Sequence, residues 1–301
     1  MSPYGILCTF SAYIMWGLFP FYFHALSGIG ALEILAHRVV WSLVFIVLVI
    51  IAIKRTAWVK PALTNRRVML VFTASALLVG ANWGTYVYAI VSNHTIEASL
   101  GYFINPLVTI LISSIFLRER LRGVQKAAVA LAAVGVAWIT ITKGVPPYLG
   151  LVLALSFAFY GLIRKTAPLG SVEGLTLESL ILTPLALGWL GWLASKGELA
   201  FTQAPAMTEL LLVAAGPITA VPLLFFAAGV RLLPYSTTAV IQYVSPSMVF
   251  LIGVFAFDEP FTLEMLIGFL FIWAGVVLFL GETWAFSRRQ KSAARREAEK
   301  A

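Results

Sequence analysis

Long apolar blocks alternate with short polar breaks along the whole chain. Ten blocks can be drawn, at residues 3–24, 33–53, 68–90, 95–117, 123–142, 147–165, 173–194, 208–230, 236–257 and 262–281. Each approaches the roughly 20 mainly apolar residues that a helix needs to cross a bilayer, so the pattern predicts ten membrane helices. The breaks are too short to let a helix return without turning over, so consecutive spans run antiparallel. Only the stretch from Trp284 onward has a soluble composition. It is expected to be a frayed helix or disordered, with disorder favoured.

Two blocks carry a proline near their middle. In GYFINPLVTILISSIF it is Pro106, and in IQYVSPSMVFLIGVFAF it is Pro246. Proline has no N–H and its ring clashes with the carbonyl four residues earlier, which frees the carbonyls of Tyr102 and Gln242. A freed carbonyl is costly in hydrocarbon unless protein or cavity water meets it. The fourth and ninth spans are therefore expected to be interrupted and to face the protein interior. There Pro106 and Pro246 act as hinges beside a cavity or as static kinks that aid packing.

The recurrence is general. A shift of 140 residues pairs Glu33 with Glu173, Phe103 with Tyr243, Asn105-Pro106 with Ser245-Pro246, Glu119 with Glu259 and Gly135 with Gly275. A shift of 144 aligns the first and sixth spans, with Tyr4 on Tyr148 and Trp16-Gly17 on Tyr160-Gly161. The expected organisation is a first five-helix repeat over 1–143, a second over 144–283 and a basic cytoplasmic tail over 284–301. Five is odd, so the second copy enters the membrane from the opposite face. Inverted repeats of this kind are typical of secondary transporters, in which the two halves exchange conformations. The fold class is an all-α membrane protein of ten transmembrane helices in two inverted five-helix repeats.

Composition agrees. Hydrophobic residues make up 60% of the 301, and charged residues only 11%, against about 45–50% and about 25% in soluble domains. The net charge of +8 does not form a basic face for nucleic acid. With the N-terminus cytoplasmic, 18 of the 21 Lys and Arg fall on inner segments, Lys143 and Lys196 on outer ones, and Arg38 within a span. Basic residues favour the cytoplasmic side, which orients both termini inward in a bacterial-type inner membrane. The one cysteine, Cys8, lies in the first span and excludes both an internal disulfide and a thiolate metal cluster.

Candidate chemistry gathers near the broken helices. Trp16, Asn82, Trp83, Tyr86, Tyr102, Asn105, Tyr160, Gln242 and Tyr243 combine rings with amides and phenols. Such a set suits a cavity for a flat or aryl-bearing solute, although Trp and Tyr also populate headgroup belts. Ionisable residues within spans are functional candidates by default. They are His37 and Arg38 in the second span and Glu178 in the seventh, the register mate of Arg38. Inversion sets equivalent positions on opposite leaflets, so each can line its own vestibule. His37 is a candidate for proton coupling or a packing histidine. Glu97 reads as a helix N-terminal carboxylate, and Arg118-Glu119-Arg120 and Asp258-Glu259 as interfacial stops or gating charges.

The chain resembles the drug/metabolite transporter superfamily, in its ten-helix EamA branch and among RarD-like proteins. The resemblance covers almost all of it. It rests on AYIMWGLFPFYF, EILAHRVVWS, NWGTYVYAI and SLGYFINPL in the first half and ESLILTPLAL and QYVSPSMVF in the second. These patterns specify architecture well and cargo poorly; the description of RarD proteins suggests chloramphenicol as one drug to consider. The resemblance implies a cavity built from the first, third, fourth, sixth, eighth and ninth spans.

The expected function is secondary transport or export of small drugs or metabolites by alternating access. No mid-span carboxylate awaits a cationic drug, which tilts cargo toward neutral, zwitterionic or weakly amphiphilic molecules. Partners are then a small solute, the bilayer and, in one mechanism, protons; a proton-independent facilitator and a non-transporting receptor are the alternatives. No HExxH, GxGD, P-loop, GxGxxG or CxxC occurs, so no enzyme activity, cofactor or metal is expected. Oligomeric state is open.

Overall fold

The structure, a computed structural model, describes residues 2–54, 56–91, 95–144, 148–256 and 262–298. His94, Asp258-Glu259 and the side chain of Glu97 lie outside the described residues. The first two spans and their connection contain α1 (Pro3–Gly17), α2 (Phe19–Ala25), α3 (Ala31–Ala52) and the short α4 (Val59–Thr64). There follow α5 (Arg66–Val91), α6 (Thr95–Phe116), α7 (Gly123–Lys143) and α8 (Tyr148–Thr166). The rest is α9 (Ser171–Lys196), α10 (Ala206–Leu232), α11 (Tyr235–Gln242), α12 (Val244–Ala256) and α13 (Leu263–Ala298). Among the described residues nine helical segments are long and apolar enough to span a membrane, counting α1 with α2 and α11 with α12 as one each; α6 supplies the tenth with its apolar stretch Gly101–Phe116. Many large apolar side chains face outward, among them Leu48, Leu70, Ile141 and Val277, as a lipid-facing girdle requires.

Proline acts differently in the two copies. The α6 helix runs through Pro106 without interruption, because losing one backbone bond leaves the flanking turns intact. In the second copy the helix parts at Tyr243, three residues before Pro246, and α12 begins with Val244. The first span parts at Leu18, just ahead of Pro20. The tail, expected to be frayed or disordered, is helical through Ala298 as the continuation of α13. Its Ala, Arg, Glu and Lys residues are strong helix formers, and an existing helix extends without a new nucleation step.

Helix neighbours exchange under the repeat shift. The α1 helix packs on α10 as α8 packs on α5, and α3 packs on α10 as α9 packs on α5. The pairs α3 with α9 and α7 with α13 map onto themselves. Within the α7–α13 seam a Cβ on Gly135 would stand 2.5 Å from the Gly268 carbonyl oxygen, and one on Gly275 would stand 2.6 Å from that of Ala128. These two approaches also interchange under the shift of 140. Tyr243, the register mate of Phe103, donates its hydroxyl to the Phe103 carbonyl at 3.4 Å. The seam is pinned by Arg122, which reaches Glu282 with two nitrogens at 2.5 and 2.6 Å, and by Gln125, which donates to the Thr283 hydroxyl at 3.0 Å.

Glu119 closes the start of α11. Its carboxylate accepts from the Tyr235 N–H at 2.6 Å, the Ser236 N–H at 3.0 Å and the Ser236 hydroxyl at 2.7 Å. A carboxylate here satisfies orphan N–H groups and meets the positive end of the helix dipole. Glu119→Ala is expected to cost about 1.5–3 kcal/mol, the range for a charge-assisted bond. Thermal unfolding of the purified protein checks this, and an unchanged midpoint would show the cap to be dispensable.

Candidate functional site

At the membrane face that holds the N-terminus, α8 ends in a buried ion pair. Arg164 lies four residues after Tyr160 and so shares its helix face. Its Nη1 stands 3.4 Å from Glu178 Oε1 on α9, its Nη2 donates to the Ser171 carbonyl at 3.0 Å, and the guanidinium lies 5.8 Å from the Phe72 ring. Glu178 also accepts from the Ser75 hydroxyl at 2.5 Å and the Tyr160 hydroxyl at 3.3 Å. One carboxylate on α9 is therefore held by a guanidinium and a phenol from α8 and a hydroxyl from α5. In the sequence Arg164 reads as one of the inner-segment cations, and its spacing does not distinguish it from its neighbour Lys165. Lys165 itself caps α10, donating to the carbonyls of Val230 and Leu233.

Toward the middle of the bundle an aromatic layer packs the interior. Trp16 stands 5.6 Å from Phe157 and 5.7 Å from Phe226, and Tyr160 stacks on Phe226 at 6.1 Å. Tyr13 joins the layer edge-on to Trp16 at 5.3 Å. Trp16 and Tyr160 are thus brought together, with Tyr13, Phe157 and Phe226, which the sequence did not single out. Beside the layer is a small cavity lined by Ser42, Trp83, Tyr160, Glu178, Ser179 and Leu223, with room for about one water. That cavity is far smaller than a pocket for a drug-sized solute.

Arg38 lies in the other half of the membrane, about two turns into α3. It is 8% exposed. Its Nε donates to the Thr219 hydroxyl at 2.9 Å, tying α3 to α10. The guanidinium carbon sits over three rings, at 5.6 Å from Phe19, 5.5 Å from Phe23 and 5.0 Å from Trp83. The phenols of Tyr22, Tyr86 and Tyr102 are within its electrostatic reach. Tyr86 and Tyr102 touch edge-on at 5.9 Å, and Tyr102 is 39% exposed. Trp83, Tyr86 and Tyr102 are therefore gathered around Arg38, together with Phe19 and Phe23 from the turn of helix opened by Pro20.

Arg38 and Glu178 do not pair; each keeps to its own half. His37 accepts from the Trp41 indole N–H at 3.1 Å and leans on Phe201 at 4.9 Å, while its Nε2 is 3.9 Å from Glu33. Glu33 in turn accepts from the backbone N–H groups of Ala200 and Phe201 at 2.8 and 3.1 Å. Asn82 cross-links α5 to α8, donating to the Leu153 carbonyl at 2.9 Å and the Ser156 hydroxyl at 3.1 Å. Asn105 is buried and accepts from Thr109 at 3.2 Å. Gln242 is buried at the end of α11, and Tyr243 packs with Phe103 and Phe269, apart from the Arg38 group.

Comparison with known proteins gives this arrangement a family. The EamA-like transporter family matches residues 3–141. An uncharacterized transporter of Pseudomonas aeruginosa is 43% identical over 95% of this chain and 96% of its own. Protein RarD of Streptomyces exfoliatus is 42% identical over 98% of this chain and 93% of its own. A crystal structure with 18% identity superposes at a TM-score of 0.68 over 91% of this chain and 96% of that one, a likeness of fold. With such relatives along nearly its whole length, the chain belongs to the EamA-like transporter family, among its RarD-like members, and is a multi-pass membrane transporter.

Proposed function

We propose that this transporter is a secondary carrier that moves small organic molecules across the cytoplasmic membrane by alternating access between two inverted repeats, residues 1–143 and 144–283. Residues 284–301 form its cytoplasmic tail. The observation that carries the reading is the exchange of helix neighbours under the 140-residue shift, down to the Gly135–Gly268 and Gly275–Ala128 approaches. Two halves built alike can trade conformations, so one open end implies a second state in which the other end opens. The 18 to 2 distribution of Lys and Arg supports a cytoplasmic N-terminal face. Asn82, Asn105, Gln242 and Tyr243 are wall residues of the same passage, and Pro106 and Pro246 its flexing points.

Flux in proteoliposomes tests the reading. Radiolabelled neutral aromatic antibiotics, nucleosides and amphiphilic aromatic acids are offered to liposomes with and without protein. At least one solute is expected to cross in a saturable manner, with many molecules moved per protein. Retention that never exceeds one solute per protein would leave a receptor instead. An imposed pH gradient separates the coupling modes, since His37 or Glu178 carrying a proton makes accumulation follow the gradient, and a facilitator ignores it.

A further inference from the structure

Arg38 is a buried cation with one of its five N–H donors accounted for by Thr219. Among the described residues no carboxylate lies within ion-pair distance of it. Glu33, on the same helix, is occupied by the Ala200 and Phe201 N–H groups. Burying a lone guanidinium is costly, and the faces of Phe19, Phe23 and Trp83 offset only part of that cost.

The other half displays how this scaffold holds a carboxylate. At the register mate of Arg38, the Glu178 carboxylate is met by the Arg164 guanidinium, the Ser75 hydroxyl and the Tyr160 phenol, with Phe72 against the guanidinium. Around Arg38 the same kinds of group recur: a guanidinium, the Thr219 hydroxyl, the phenols of Tyr22, Tyr86 and Tyr102, and rings against the cation. What the second set lacks, among the described residues, is the carboxylate. One of its phenols, that of Tyr102, belongs to a side chain that is 39% exposed.

We propose that Arg38 receives the carboxylate of an aromatic monoanionic solute, whose aryl group lies against Tyr86 and Tyr102. Guanidinium and carboxylate match as two parallel charge-assisted hydrogen bonds, which orients the solute as well as holding it. The absence of a second acid beside Arg38 among the described residues disfavours an ammonium group on the solute. The site rests on the transporter reading, and it moves the expected cargo from neutral molecules to amphiphiles with an anionic head.

Thermal unfolding of the detergent-purified protein tests the site without requiring transport. Phenylacetate, 3-phenylpropionate and indole-3-acetate are each compared with their primary amides at equal concentration. At least one acid is expected to raise the unfolding midpoint more than its amide. Arg38→Gln is expected to weaken that acid about 30-fold or more, the loss typical when one member of a buried charge pair is removed, and to leave the amide unchanged. Arg38→Lys keeps part of the preference, because charge survives and the fork does not. Thr219→Val preserves the charge and removes the hydroxyl that orients it, so a weakened acid with an unchanged amide is expected there too. The proposal fails when no acid outperforms its amide, or when Arg38→Gln and Thr219→Val both bind the acid as the wild type does. Flux of other solutes alongside such a failure leaves the transporter reading standing, whereas acid binding without any flux removes that reading and keeps the site.

Discussion

Arg164→Ala is expected to destabilise the protein by about 3–5 kcal/mol, the range seen when one partner of a buried ion pair is deleted. The loss exceeds one interaction. Glu178 is left buried with hydroxyl partners only, the Ser171 carbonyl loses its donor, and Phe72 loses the cation against it. Arg164→Lys is expected to recover little, since a single ammonium cannot reach Glu178 and Ser171 with separate nitrogens. The double variant Arg164→Met with Glu178→Leu is expected to be milder than Arg164→Ala alone, because it buries no unpaired charge. Unfolding temperature and the amount of protein in the membrane are the readouts. A wild-type midpoint for Arg164→Ala would mean that the pair has no structural weight.

The second large effect is expected at the α7–α13 seam. A methyl group on Gly135 or Gly275 meets backbone carbonyl oxygen at 2.5 or 2.6 Å, and backbone cannot rotate aside as a side chain would. The helices must part, at about 1–3 kcal/mol for each alanine by the usual cost of overpacking. Close approach through small residues is how membrane helices gain packing where no hydrophobic force drives them together. Both glycines serve one seam, so the double variant Gly135→Ala, Gly275→Ala is expected to cost less than the two single losses combined. Full additivity in denaturation of the purified protein would mean that the two approaches act independently.

Much of the architecture was legible because hydrocarbon imposes one rule on every residue. The sequence pattern predicts the second span at 33–53 and α3 occupies Ala31–Ala52; it predicts the fifth at 123–142 and α7 occupies Gly123–Lys143. The break in the ninth span was legible only in part. Proline chemistry names the carbonyl set free, but whether the helix then breaks depends on what packs there, and α6 stays continuous through Pro106 where α11 and α12 separate at Tyr243. Arg38 was visible as an ion inside a span. Arg164 was hidden, since a basic residue at a helix end ordinarily points to water and only the packing of α9 turns it inward. Phe157 and Phe226 were hidden for a related reason. In a chain this apolar, phenylalanine facing lipid and phenylalanine packed in the interior look alike, and only the neighbours Trp16 and Tyr160 separate the two cases.

The final helix has a consequence outside the membrane. Its 36 residues span roughly 54 Å at about 1.5 Å each, and the hydrocarbon layer takes about 30 Å of that. Some two dozen ångströms remain as a stiff mast rather than a loose string. A reporter protein or affinity handle joined there would ride clear of the headgroups and inherit the lean of the mast.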